Sequence, residues 1–160
     1  MQKSSNKGFT LIELLIVIAI IAVLAAVIFV ALNPAQRFMD ARNARRQTDV
    51  ENVASALKTY QVDNDGSYPS AVSGLTAALF YTIGTNGVAG CDTGCTAKTT
   101  QAGCVDLAAL VTGGYLGSVP MDPTTGTALK TDYYLSRNTN GTVEIGACDA
   151  EDGASISTVR

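Results

Sequence analysis

A run of 24 residues, Phe9 to Leu32, contains Glu13 as its only charge and Thr10 as its only hydroxyl. A helix rises about 1.5 Å per residue, so about 20 residues cross a bilayer core of roughly 30 Å, and this run is long enough. A lone carboxylate in such a segment costs roughly 2.5–3.5 kcal/mol at the bilayer centre and less near an end. Glu13 therefore needs something that offsets its cost. Residues 1–8, MQKSSNKG, carry Lys3 and Lys7 and no acid, which keeps this end cytoplasmic and sends the remainder across. A secretory signal peptide has a shorter apolar core, about 7–15 residues before a small-residue cleavage site, although VLAAV (23–27) has that character. A plain N-terminal anchor is the other simple reading.

Charge is informative in pieces. Arg37, Arg42, Arg45 and Arg46 against Asp40 give residues 37–46 a net charge of +3, directly after the apolar run. From Gln47 onward there are 12 acidic and 5 basic residues, a net charge of −7, which argues against a nucleic-acid surface built on overall charge. The basic stretch has two readings: contact with anionic lipid and then with acidic neighbours, or a solvated helix face.

Four cysteines, Cys91, Cys95, Cys104 and Cys148, all follow the apolar run. An even count beyond an export segment favours disulfides in an oxidising compartment. Zinc is the rival, but Cys91 and Cys95 have no second close pair and the chain has no histidine. Four cysteines allow three pairings. The expected one is Cys91–Cys95 within a loop and Cys104–Cys148 tying a short helix to a hairpin.

The segment KGFTLIELLIVIAIIAVLAAV, residues 7–27, resembles the N-terminus of bacterial type IV pilins and of the related pseudopilins of type II secretion. Both begin with a short basic leader ending in Gly, then Phe-Thr-Leu-Ile-Glu and an unbroken apolar helix. The resemblance covers about the first 60 residues. It implies that a prepilin peptidase cuts between Gly8 and Phe9 and N-methylates Phe9. It also implies that Glu13 pairs with the N-terminal amine of a neighbouring subunit and sets axial register, with Thr10 adding a hydrogen bond. Ala22 stands where many relatives have Gly, and Val30 where many have Pro, while Pro34 comes one turn later. A kink is therefore expected at Ala31–Asn33, because Pro34 removes a backbone donor and crowds the preceding turn.

Beyond Pro34, Val50, Val53, Ala54, Leu57 and Tyr60 form one apolar helical stripe. Arg42, Arg46, Gln47 and Lys58 are expected on the opposite face. DNDGSYP (63–69) ends the helix; Asp63, Asp65 and Gly66 resemble part of a calcium loop but lack the other EF-hand ligands. Residues 70–103 are expected to be a variable loop, followed by a short helix after Cys104 with Asp106 near its start and Gly113-Gly114 at its end. DYYLSR and TVEIGAC, around Asn140-Gly141, read as a hairpin, and a third strand is expected near 154–158. The Asn140-Gly141-Thr142 sequon is explained by that turn. By family resemblance Asp122 and Asp132 could contribute to calcium binding, but the further ligands are not evident and no metal or cofactor is assigned.

The expected fold is α+β: a long N-terminal helix packed on a small antiparallel sheet. Its parts are a leader (1–8), a transmembrane assembly helix (9–32), an amphipathic continuation (33–62) and a globular head (63–160). Without histidine there is no Ser-His-Asp or Cys-His site, and GTNGVAG (84–90) lacks the Lys of a phosphate loop, so the chain is not expected to be an enzyme. The leading reading is a type IV pilus subunit, a homo-oligomeric filament built by inner-membrane machinery from a single-pass membrane precursor. The alternative is a pseudopilin of a type II secretion or DNA-uptake system, and a third reading is a membrane-anchored adhesion domain that never polymerises. Nucleic-acid binding is not settled by the sequence.

Overall fold

The computed structural model describes residues 8–85 and 89–160. Lys3 and Lys7, on which the expected orientation rests, lie outside the described residues, as do 86–88 of the Gly-rich stretch. The chain forms two compact units, one ending at Phe38 and the other spanning Met39–Arg160.

In the first unit, α1 spans Leu11–Leu32 and has no buried residue. It ends at Asn33, whose backbone is left-handed at φ 38°; asparagine tolerates this region better than most side chains. Pro34 opens the next helix, α2, Pro34–Asp63. Proline suits a first helical turn because its missing N–H has no partner there in any case. The long N-terminal helix is thus bent, as expected, with its interruption at Asn33-Pro34.

In the second unit α2 buries Val50, Val53, Ala54, Ala56 and Leu57. These join Ile83, Tyr133, Leu135, Val143 and Ile145 in one core. Full burial of each Val, Leu or Ile contributes about 1.5–3 kcal/mol. The helix stops where the Gly66 N–H donates to the Gln61 carbonyl at 2.8 Å. Gly66 lies at φ +83°, which a side chain would disfavour. DNDG is therefore a helix-ending turn.

Four antiparallel strands follow, in the order β1 (Phe80–Gly84), β2 (Lys130–Arg137), β3 (Val143–Ala147) and β4 (Ser157–Val159). The short helix α3 (Ser70–Ser73) precedes β1, and α4 (Ala108–Thr112) lies between β1 and β2 in sequence. β1 occupies the segment expected to be a loop; its signal was the aromatic and β-branched run Phe80-Tyr81-Thr82-Ile83. The C-terminal strand starts later than expected. Asp106 accepts the Ala108 N–H at 2.8 Å, which opens α4.

Alternation puts Tyr133 and Leu135 in the core, while Tyr134 lies across the other face and meets Phe80 edge-on at 5.5 Å. Gly146, paired with Tyr134, is required there because a β-carbon would run into the Tyr134 ring. The β2–β3 hairpin closes through Asn138 and Thr142, whose N–H and carbonyl bond at 2.7 Å.

The disulfides are Cys91–Cys104 and Cys95–Cys148, not the expected Cys91–Cys95 and Cys104–Cys148. The segment around 100–105 runs back along β1 through parallel bridges Phe80↔Thr100 and Ile83↔Val105. The Thr82 and Thr100 hydroxyls both donate to the Cys91 carbonyl at 2.7 Å, so Cys91 and Cys104 meet beside β1. Thr96 and Ala97 bond the Cys148 carbonyl, which places Cys95 at the end of β3. Tertiary pairing, not sequence proximity, sets the connectivity.

Candidate functional site

Thr10 and Glu13 form a closed local unit at the start of α1. The Thr10 hydroxyl accepts the Glu13 N–H at 3.3 Å, and Glu13 Oε2 accepts the Thr10 N–H and hydroxyl, each at 2.9 Å. This is a capping box, in which side chains satisfy the free donors at a helix start. Glu13 is thus partly compensated within its own chain. Its Oε1 takes no bond from the described residues, so one oxygen remains for an external donor. Phe9, just ahead, is 91% exposed.

All of α1 is exposed and, apart from Glu13, apolar around its circumference. Such a helix belongs in a membrane or among other apolar helices. Its 22 residues span about 33 Å, matching a bilayer core.

In the second unit Arg42 and Arg46 of the basic stretch are engaged by carboxylates of their own chain. Arg46 is 0% exposed. Its Nε and Nη2 donate to Asp122 at 2.6 and 3.1 Å, and Nη1 reaches Glu151 at 2.8 Å. Arg42 donates to both Glu151 oxygens, at 2.6 and 2.5 Å. Asn43 bonds the Glu151 backbone on both sides, accepting its N–H and donating to its carbonyl. Arg45 faces Asp49 at a looser 3.7 Å.

This corrects the expected placement of Arg42 and Arg46 opposite the apolar stripe. Arg46 lies one helical turn before Val50, and Arg42 one turn before Arg46, so both continue the buried stripe. The i, i+4 spacing carried that signal, and the charge masked it.

Burial alone would raise the Asp122 carboxyl. The Arg46 guanidinium, the Thr124 hydroxyl and the amides of Thr124 and Thr125 outweigh it and bring it to about 2. Arg42 and then Arg46 likewise hold Glu151 at about 2. Asp132 behaves oppositely. Burial pushes its carboxyl up, Asp149 and Asp122 push the same way, and Thr125 and Lys130 only partly counter them.

With Asp122 engaged by Arg46, the two aspartates considered for calcium have different roles. Among the described residues no three Cys, Asp or Glu side chains converge on a metal position. All four cysteines are in disulfides.

Residues 3–29 match the prokaryotic N-terminal methylation motif. Over this segment the chain is similar to the type IV pilin and pseudopilin family. It is 38% identical over 81 residues to type II secretion system core protein G of Pseudomonas aeruginosa, covering 49% of this chain and 54% of that one. It is 35% identical over 79 residues to the protein of the same name from Aeromonas hydrophila, covering 49% and 53%. With that from Pectobacterium carotovorum it shares 38% over 74 residues, covering 46% of each. The chain therefore spans about half the length of the curated relatives it matches. No solved structure matches it. The apolar helix and the methylation motif fit a membrane-anchored precursor of this pilin and pseudopilin type.

Proposed function

We propose that the chain is a structural subunit of a periplasmic pseudopilus of the type II secretion kind. The observation that carries this choice over a surface pilus is that the similar proteins named above are type II secretion core proteins. Cleavage between Gly8 and Phe9 by a prepilin peptidase, with N-methylation of Phe9, leaves an ammonium at the head of α1. Inner-membrane machinery then moves subunits from the bilayer into a filament whose centre is made of α1 helices.

Glu13 is the register residue in this reading. An unpaired carboxylate disfavours an apolar environment, whereas one bonded to an ammonium is tolerated there. Thr10 holds Oε2 and leaves Oε1 for the Phe9 ammonium of a neighbouring copy. Axial slips separate that pair, so the paired stagger is favoured over others that bury equal apolar area.

The test combines two measurements in the native host. Deleting the chain should trap exported proteins in the periplasm, and antibody labelling should reveal no long surface fibres in wild-type cells. Normal secretion together with abundant labelled fibres would replace this reading with the pilus alternative. A chain that never leaves the membrane pool would support the non-polymerising anchor instead.

A further inference from the structure

Asn140, Gly141 and Thr142, at the tip of the β2–β3 hairpin, spell Asn-X-Thr, the acceptor sequence for N-linked sugars. No other asparagine in the chain is followed two residues later by Ser or Thr. A tight turn calls for Asn-Gly, and Gly141 at φ +86° meets that need. It does not call for a hydroxyl two residues after Asn140.

The fold gives that hydroxyl a defined place. Thr142 Oγ1 donates to Asn140 Oδ1 at 2.8 Å, and the Thr142 N–H donates to the same oxygen at 3.1 Å. Asn138 Nδ2 donates to Thr142 Oγ1 at 2.9 Å, so the hydroxyl accepts there and keeps its own proton for Asn140. Both bonds to Asn140 fall on its oxygen, and among the described residues its Nδ2 donates to nothing. Donors on Oδ1 stabilise the negative charge that gathers there as the nitrogen gives up a proton. Thr139, Asn140 and Gly141 are exposed, and a β-carbon added at Gly141 would meet nothing within 4 Å. The tip thus has room for a bulky group.

We propose that Asn140 is an N-glycosylation site, modified outside the cytoplasm by a membrane transferase that uses a polyprenyl-diphosphate-linked sugar. The bond from Asn140 Nδ2 to the sugar C1 forms as the C1–O bond to the diphosphate breaks. The diphosphate leaves with the electron pair, and one Nδ2 proton passes to a base of the transferase. The inference rests on the export reading, in which residues beyond α1 lie outside the cytoplasm.

For the test, protein purified from the native host is digested with trypsin without reduction. Cleavage after Arg137 releases residues 138–160, which carry both Asn140 and Cys148. The expected result is a sugar mass located on Asn140 by fragmentation, in a peptide still joined through Cys148 to Cys95. Asn140→Gln and Thr142→Val should lose that mass, and Thr142→Ser should keep it. A bare Asn140 in the disulfide-bonded peptide, sugar on the Thr139 or Thr142 hydroxyl instead, or an unchanged mass shift in Thr142→Val would overturn the proposal and leave export standing. A bare Asn140 beside a free Cys148 thiol would overturn the export reading and this inference with it.

Discussion

At the scale of single residues, Glu13 and Asp132 show how environment decides what a carboxylate does. The capping box satisfies one Glu13 oxygen and leaves the other available. Replacing Glu13 by Val should leave export, leader cleavage and head folding intact while removing the charged contact that selects register. A hydrogen bond to a charged group contributes about 1.5–3 kcal/mol, so sheared filament relative to membrane-pool subunit should fall roughly ten- to a hundredfold at matched expression. Equal yield with equal subunit spacing would remove the register role. Asp132 is 4% exposed, and its carboxyl is pushed above its ordinary value. Its ionisation is therefore harder in the folded chain than in the unfolded one, so it costs stability as pH rises above the unfolded value of about 4. Asp132→Asn should raise the melting temperature at pH 7, with the gain vanishing near pH 3. The backbone at φ 58° also suits Asn. A melting temperature lower than wild type at pH 7 would contradict this.

At the scale of elements, α2 is held to the rest of its unit by two kinds of contact: the Val50–Leu57 stripe and the Arg46–Asp122–Glu151 cluster. Truncating Arg46 to Met leaves Asp122 buried without its cation and should cost about 3–5 kcal/mol in chemical denaturation. Adding Asp122→Asn should recover part of that loss, since an amide oxygen still accepts from Thr124 and Thr125. Both carboxyls are lowered to about 2, below unfolded values of about 4. Their contribution is thus complete at neutral pH and is lost as pH falls from about 4 to about 2, a window that acid unfolding of wild type and Arg46→Met would compare. The disulfides tie the segment between β1 and β2 to itself and to the end of β3. Cys95–Cys148 closes a separation of 53 residues and Cys91–Cys104 one of 13. Chain entropy assigns them about 4 and about 3 kcal/mol respectively. Replacing Cys95 and Cys148 by Ala should therefore be the more damaging pair of substitutions. Non-reducing peptide mapping that finds Cys91 joined to Cys95 would refute the connectivity.

At the scale of the whole molecule, the proposed processing at Gly8 would convert a membrane precursor into a filament subunit. A bulky residue at Gly8 should leave full-length protein in the membrane, and mature protein should begin at a methylated Phe9. Intact Met1 in assembled material, seen by mass spectrometry, would refute this. The apolar run, the break at Pro34 and the N-terminal motif were legible in the sequence because each depends on local chemistry: length against bilayer thickness, a missing N–H, and a short recognition segment. The hairpin around Asn140 and the DNDG turn were legible for the same reason. What lay beyond the sequence was every feature defined by a distant partner. Arg46 reads as a solvent-facing charge until Asp122, 76 residues away, is placed against it. Phe80–Gly84 reads as loop until β2 supplies its hydrogen-bonding neighbour. Cysteine spacing favoured the nearest pair, but β1 and β3 carry the four sulfurs to other positions. Local sequence determines where a chain turns, caps and crosses an apolar medium; only the packed fold decides which buried charges and thiols meet, because their energies depend on neighbours that the chain brings together from afar.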